Sequence, residues 1–246
     1  MSGEPGPPRS IPPFDPGWIL FHGSGVLALN KPAGLPVHRG TDHPFGLAEI
    51  LDEWVRVNPG ALEIRPGRPV HPVHRLDLEA SGVLLLGLHR EAARALQKAF
   101  SERLVKKRYL VVVAGPMEAE GYLRGTVRSR LRGVYRRLDA ELTYRRLRGD
   151  NRLSLLEVIP SGGRSHQIRA LFAKCDRPLA GDLRYGKPKP GRQFLEKFEV
   201  PYFLLHAREV LLPPGIPGVP RSIEAPIPEE FHKVVLKKGW EPLPGG

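Results

Sequence analysis

The chain has 246 residues, with 38 Lys+Arg against 26 Asp+Glu, a net charge of +12, and 41% hydrophobic residues. That length and apolar content suffice for a folded core without a disulfide or a structural metal, and so large a positive excess points to a polyanionic partner. The single cysteine, Cys175, excludes an internal disulfide and any four-cysteine metal or iron–sulfur site. With no apolar run of roughly 18 residues and no basic, apolar leader, the composition predicts a cytoplasmic protein with no membrane anchor.

Nine of the first seventeen residues are proline or glycine, so residues 1–23 read as a proline-rich extended arm. Val26 to Asn30 is a short apolar strand closed by Lys31-Pro32-Ala33-Gly34. Leu47, Ile50, Leu51 and Val55 recur at helical spacing and predict an amphipathic helix that stops before Asn58-Pro59-Gly60. Val83 to Leu88 reads as a fully buried strand. It leads into a helix over residues 89–105, whose apolar face is Ala92, Leu96, Ala99, Phe100 and Leu104. Tyr109 to Ala114 is a further buried strand, and residues 141–147 and 153–159 form a hairpin across Gly149-Asp150-Asn151. Ser165 to Lys174 predicts a short serine-capped helix with Ile168, Leu171 and Phe172 on its apolar side. A last strand over residues 204–212 closes the sheet ahead of a loop at 213–220. Antiparallel hairpins mixed with helical crossovers predict an α+β fold, a mixed and largely antiparallel sheet with flanking helices, in one domain over residues 24–240. No glycine-rich phosphate loop follows any strand, which argues against nicotinamide or ATP chemistry.

Two segments concentrate polar side chains. In PVHRLDLEASGVLLLG, residues 72–87, Asp77 stands at the edge of a buried strand, where an unpaired carboxylate is costly; a cation must lie close, and Arg75 is one candidate. In SGGRSHQIRAL, residues 161–171, two glycines permit a sharp turn and Arg164, His166, Gln167 and Arg169 occupy the first turns of the helix, an arrangement suited to phosphate or carboxylate. Arg169, four residues from Ser165, is expected on the polar face of that helix or at its border. A third segment, residues 124–152, carries ten arginines against three acids with Tyr135 and Tyr144 interleaved. Like charges at that density are costly unless phosphates neutralise them. His38, His71, His74, His166 and His206 could converge on zinc, but Pro72 disrupts the helix that an HxxxH site uses, so no metal site is expected.

HRLDLEASG resembles the HRLDxxTSG signature of the RluA-type family of RNA pseudouridine synthases, and GRSHQIRAL resembles that family's GRTHQIRVH segment. LNKPAGLPVH, KKRYLVVV, GDLRYG and LLHARE follow the same family order, so the resemblance spans roughly Val26 to Leu212. It implies an isomerase that breaks the N1–C1′ bond of a uridine in RNA, turns the uracil and rejoins it through C5, without metal or cofactor. By position it makes Asp77 the catalytic aspartate, Tyr109 the aromatic residue against the target base, Arg169 the cation paired with Asp77, and Arg75 the residue that fills the vacated stack. An arginine partner would keep the aspartate anionic, and an everted base needs an aromatic face. The tyrosine hydroxyl is a candidate proton acceptor at C5.

The sequence departs from the family pattern at Ala80, where threonine is usual, and at Ala170-Leu171, where valine-histidine is usual. The separate N-terminal RNA-binding domain of many members is expected to be missing, which leaves recognition of a ribosomal or transfer RNA stem-loop to the core. The expected RNA contacts are His74, Arg75, Arg164 and Gln167 around the cleft and Arg128, Arg130, Arg132 and Arg136 in the arginine-rich segment, in a protein acting as a monomer. The rival readings are a non-catalytic RNA-binding protein or RNA chaperone that retains the fold, and a glycosidase, which would need a second carboxylate such as Glu79.

Overall fold

Alternate residues of a strand face opposite ways, and here both faces of the sheet are covered, so residues 83–86 and 109–113 are buried at every position. The computed structural model describes residues 12–40, 43–62, 64, 69–131 and 134–243, the side chains of Arg130 and Leu131 excepted. Residues 1–11 of the predicted arm, and Arg132, lie outside the described residues.

A single 3-10 turn, Pro16–Trp18, capped by the Asp15 side chain, leads into β1 (Ile19–Gly23) and β2 (Val26–Lys31). Then come α1 (Leu47–Val57), β3 (His71–Pro72), β4 (Ser81–Gly87), α2 (Arg90–Ser101), β5 (Lys106–Ala114), β6 (Glu120–Leu131), β7 (Val134–Gly149) and β8 (Leu153–Pro160). The chain continues through α3 (Gln167–Lys174), α4 (Pro188–Phe198), β9 (Leu205–Leu211), β10 (Ser222–Glu224) and α5 (Glu229–Lys238). The strand order is β1-β2-β4-β9-β5-β8-β7-β6, with β3 beside β4 and β10 beside β9. Leu27, Leu29, Leu84, Leu86, Tyr109, Val111, Leu156 and Val158 face α1 and α3 in one core. On the other face Val26, Ala28, Val83 and Leu85 pack with the apolar side of α2, and Leu110, Val112 and Leu155 with Phe194, Phe198 and Phe231 of α4 and α5.

Several elements differ from the sequence reading. Ile19–Gly23 is a strand paired with β2, so the sheet begins inside the segment read as an arm and the domain starts before residue 24. The α2 helix ends at Ser101; Arg103 takes a left-handed conformation (φ 59°) and Leu104, which fitted the helical spacing, is 51% exposed. The cap of α3 is His166, itself left-handed (φ 54°), and not a serine; no side chain caps this helix. Strand β9 does not close the sheet but lies at its centre, between β4 and β5.

The arginine-rich segment is β-structure. β7 pairs with β8 only from Leu142 onward, and from Arg124↔Glu141 to Leu131↔Val134 it pairs with β6 alone. Eight residue pairs thus form a two-stranded arm beyond the end of β8, roughly 25 Å long at about 3.4 Å per residue. At its root the Glu141 carbonyl accepts hydrogen bonds from the Ser161 N–H (3.0 Å), the Ser161 hydroxyl (3.0 Å) and Gln167 Nε2 (2.8 Å).

Strands β4 and β9 are parallel and meet at Ser81↔His206 and Gly82↔Ala207. The backbones touch so closely there that a Cβ on Gly82 (φ +104°) would lie 2.3 Å from the Ala207 carbonyl oxygen. Beside it the Ser81 hydroxyl bonds His206 Nδ1 at 2.9 Å. Steric conflict and an unfavourable φ together predict that Gly82→Ala costs about 3 kcal/mol or more. Urea denaturation should show this as a lower midpoint, and an unchanged midpoint would contradict the close approach.

Candidate active site

A cleft of about 440 Å³ opens on the α3 side of the sheet, lined by the β3–β4 loop, the end of α2, the start of β5 and the loop between β8 and α3. Asp77 lies on its wall in the turn before β4. That turn is held from below by Lys31, the last residue of β2. The Lys31 ammonium is fully buried and donates to the carbonyls of Pro32 (2.8 Å), Leu35 (2.7 Å) and Leu78 (3.1 Å). Burial lowers its pKa to about 7 against the opposing charges of Asp77 and Glu79.

Arg169, on the first turn of α3, is 2% exposed and faces inward, not along the polar border of its helix. Its Nε and Nη2 donate to the two carboxylate oxygens of Asp182 at 2.7 and 3.1 Å. Asp182 also accepts the N–H groups of Arg184 and Tyr185, each at 3.0 Å. The remaining Arg169 nitrogen, Nη1, reaches Asp77 Oδ2 at 3.2 Å, His166 Nδ1 at 2.8 Å and Glu79 Oε2 at 3.8 Å. The rings of Phe203 and Tyr185 lie 4.3 and 5.0 Å from the guanidinium carbon. Burial works against the charge of Arg169, but the bonds and charge of Asp182, with those of Asp77, outweigh it and hold the group above its ordinary pKa.

An arginine can only donate, so His166 Nδ1 accepts, which leaves the imidazole neutral with its proton on Nε2. Burial lowers the His166 pKa, Asp77 opposes that, and Arg169, Arg184 and Arg75 reinforce it. Tyr109, on β5, faces the same cleft and is 8% exposed. Burial, and then the Asp77 charge, push its phenol well above the usual value, so it is protonated at neutral pH.

The structure therefore brings Asp77, Tyr109 and Arg169 together and gives Asp77 its cation from Arg169; Arg75 is exposed at the cleft mouth. Arg164 lines the same cleft. Two of the expected RNA ligands also line it but direct their hydrogen bonds inward. His74 Nε2 accepts the Leu85 N–H at 2.9 Å, its ring stacks on Phe100 at 4.7 Å, and burial drops its pKa to about 3. It is a neutral brace between the loop and β4. Gln167 is 4% exposed, donates to Glu141 and accepts the Arg164 N–H at 3.1 Å, so both ends of its amide are committed within the protein. Neither glycine of the Ser161–Arg164 turn has a positive φ; the left-handed turn falls on His166.

The arginine-rich segment divides in two. Arg124, Arg145 and Arg148 pair with Glu141, Glu157 and Glu241 at 3.3, 3.2 and 3.4 Å, and Arg146 donates to the Met117 carbonyl. Toward the arm's tip Arg128, Arg136 and Arg137 are exposed, with the Arg128 guanidinium 4.2 Å above the Tyr135 ring. The two departures from the family pattern are buried: Ala80 is 1% exposed and Leu171 packs under the arm, close to Gly125. Lys31 and Asp182 complete the site although the sequence reading gave them no part in it. Their signals were a lone lysine closing an apolar strand and an aspartate opening a tight turn. Among the described residues, no three His, Cys, Asp or Glu side chains are grouped as a metal site requires, and no helix is long and apolar enough to cross a membrane.

The residues from 25 to 174, which carry β2 through α3 and most of this site, match the family model of RNA pseudouridylate synthases. The chain is 31% identical to the tRNA pseudouridine synthase C of Salmonella typhi, over 92% of this chain and 91% of that protein. It is 29% identical to the ribosomal large subunit pseudouridine synthase C of Rickettsia bellii, over 88% of this chain and 70% of the relative. The solved structure of human RNA Pseudouridylate Synthase Domain Containing 4 has the same fold, with a TM-score of 0.74 and 24% identity over 91% of this chain and 94% of that one. The chain belongs to the RNA pseudouridylate synthase family, in the RluA-type branch. It is accordingly an isomerase that converts uridine to pseudouridine.

Removing the charge of Asp182 would leave Arg169 buried against a neutral partner, a change worth about 3–5 kcal/mol when one member of a buried pair is lost. Asp182→Asn should therefore lower stability by about that amount in equilibrium denaturation, where an effect under about 1 kcal/mol would mean that Arg169 is solvated in another way.

Proposed function

We propose that the chain isomerises uridines in structured tRNA or rRNA with Asp77 as its catalytic carboxylate and no cofactor. The supporting observation is the composition of the cleft wall: Asp77 is the one carboxylate among its lining residues, which otherwise include the cations Arg75, Arg103, Lys107, Arg164 and Arg169. A polyanion enters such a cleft, and the single anion at its base is the group left to act on the sugar or the base. Glu79 does not line the cleft, which disfavours a two-carboxylate glycosidase.

In this reading the target uridine leaves its stack, Arg75 enters the vacated space, and the uracil lies against Tyr109. The N1–C1′ bond breaks, the ring turns, C5 bonds to C1′, and the C5 proton is lost while N1 gains one. Asp77 serves as nucleophile or base, with Arg169 fixing its position. Tyr109, a buried protonated phenol, serves as the aromatic face and as a hydrogen-bond donor; this weighs against the hydroxyl as proton acceptor. The core itself carries RNA recognition, through the cleft and the β6–β7 arm, and the chain acts as a monomer.

Asp77→Asn keeps shape and removes the anion. Incubated with RNA from cells lacking the gene, the purified variant should form pseudouridine at least roughly 10³-fold more slowly than wild type while still binding that RNA. Turnover within a few-fold of wild type would remove Asp77 from the chemistry. Equal, negligible pseudouridine formation by wild type and variant, with RNA bound by both, would favour a chaperone.

The arm can be tested by contrast. Replacing Arg128, Arg136 and Arg137 with Gln should flatten the log–log salt dependence of RNA binding by about two units, since each phosphate contact contributes about 0.7–0.9. Replacing the ion-paired Arg124 and Arg145 should change it by less than about one. Equal slopes for both variants would mean that the RNA does not use the tip.

A further inference from the structure

Two lysine amines are buried in this protein without a salt bridge among the described residues, and counting their donors separates them. An ammonium has three hydrogens to donate. Lys31 gives all three to carbonyls. Lys107, 9% exposed, gives one, to the Gly162 carbonyl at 2.7 Å, and no other acceptor is within reach among the described residues. Two hydrogens on a buried cation remain unspent. Removing a charge from water costs several kcal/mol unless an opposite charge meets it, yet among the described residues no carboxylate pairs with this one.

The setting indicates what would meet it. Lys107 is on β5 two residues before Tyr109, so the two side chains share the cleft face of the strand, with their Cα atoms roughly 7 Å apart, about one ribose. Arg103, Arg164 and Arg75 line the same cleft, and so do Gly162 and Gly163. A Cβ at Gly163 would lie 3.5 Å from the amine, in contact with it; glycine leaves that approach open. The loop thus takes one donor of the ammonium through Gly162 and stays clear of it at Gly163.

We propose that Lys107 and the Gly162–Arg164 turn form a phosphate subsite that holds the RNA backbone phosphate next to the everted uridine. The inference rests on the reading of the chain as an RNA isomerase and adds a binding group to it. The ligand is a phosphodiester, and it supplies the anion that the protein withholds from Lys107. Lys107 binds and orients; it takes no part in bond making.

The test measures binding of a labelled decauridylate over a range of KCl concentrations by wild type and Lys107→Met, a variant of similar length. The variant should bind about tenfold more weakly and its salt slope should fall by about 0.7, one single-strand phosphate contact. Its thermal midpoint should equal or exceed that of wild type, because an uncompensated buried charge has been removed. Unchanged affinity and slope would overturn the proposal. A second measurement needs no variant: acetic anhydride labelling of Lys107 in wild type, read by peptide mass spectrometry, should slow several-fold with decauridylate present. Equal labelling would overturn the subsite. Equal protection by inorganic phosphate at the same phosphate concentration would overturn the assignment to RNA in favour of a free anion. Wild type binding an uncharged methylphosphonate oligomer as well as decauridylate would likewise overturn the subsite, whereas wild type binding neither decauridylate nor structured RNA would remove the RNA reading on which the inference rests.

Discussion

Arg169 carries a permanent charge on a side chain that is almost wholly buried, and the arrangement of the site follows from keeping that charge satisfied. Asp182 meets its Nε and Nη2 in a two-pronged contact, the geometry in which guanidinium and carboxylate fit best. Asp182 is buried in its turn and is balanced by two backbone N–H groups of the turn that follows it. Only then is Nη1 left over, and its position is dictated by the two bonds already made. Asp77 is thus held by a cation whose orientation it does not set. A carboxylate paired with a flexible lysine would have no such fixed reference.

The same logic accounts for the long-range architecture. Asp77, Arg169 and Asp182 come from three separate segments, and each is delivered by a different device: a turn pinned by Lys31, a helix started by a left-handed histidine, and a tight turn closed on its own aspartate. The parallel contact of β4 with β9 brings the strand after Asp77 against the strand that contributes Leu205 to the cleft. It tolerates no side chain at Gly82. Catalytic geometry in this fold is therefore bought with backbone proximity as much as with side-chain bonds.

What could be read from the sequence follows from these interactions. β2, β4 and β5 were legible because helices cover both faces of their central residues, 26–29, 83–86 and 109–113, which are apolar on each side. The outer half of β6 and β7 was not, since arginines occupy its exposed face and only Val127 and Ala140 betray the buried one. The α2 helix was overextended because Leu104 continued its spacing, while a left-handed Arg103, which carries no strong sequence signal, had already ended it. Among site residues, Asp77, Tyr109 and Arg169 were indicated by the family resemblance, and the structure places them together. Asp182 and Lys31 could not be assigned, because their roles depend on partners distant in the chain. His74 and Gln167 line the cleft, but their bonds run inward to the Leu85 N–H and the Glu141 carbonyl, which the sequence beside them does not reveal.

The root of the β6–β7 arm has a mechanical meaning. Three donors on the Glu141 carbonyl clamp the arm at its root, and α3 props it further out, through Leu171 beside Gly125 and Lys174 on the Thr126 carbonyl; a beam so supported deflects most at its free end. The support is shared, since Gln167 belongs to the first turn of α3 and also holds the backbone of Arg164. Bending of the arm is thereby confined to the outer residue pairs. A load applied at the tip would therefore be taken up by α3, the helix that carries Arg169.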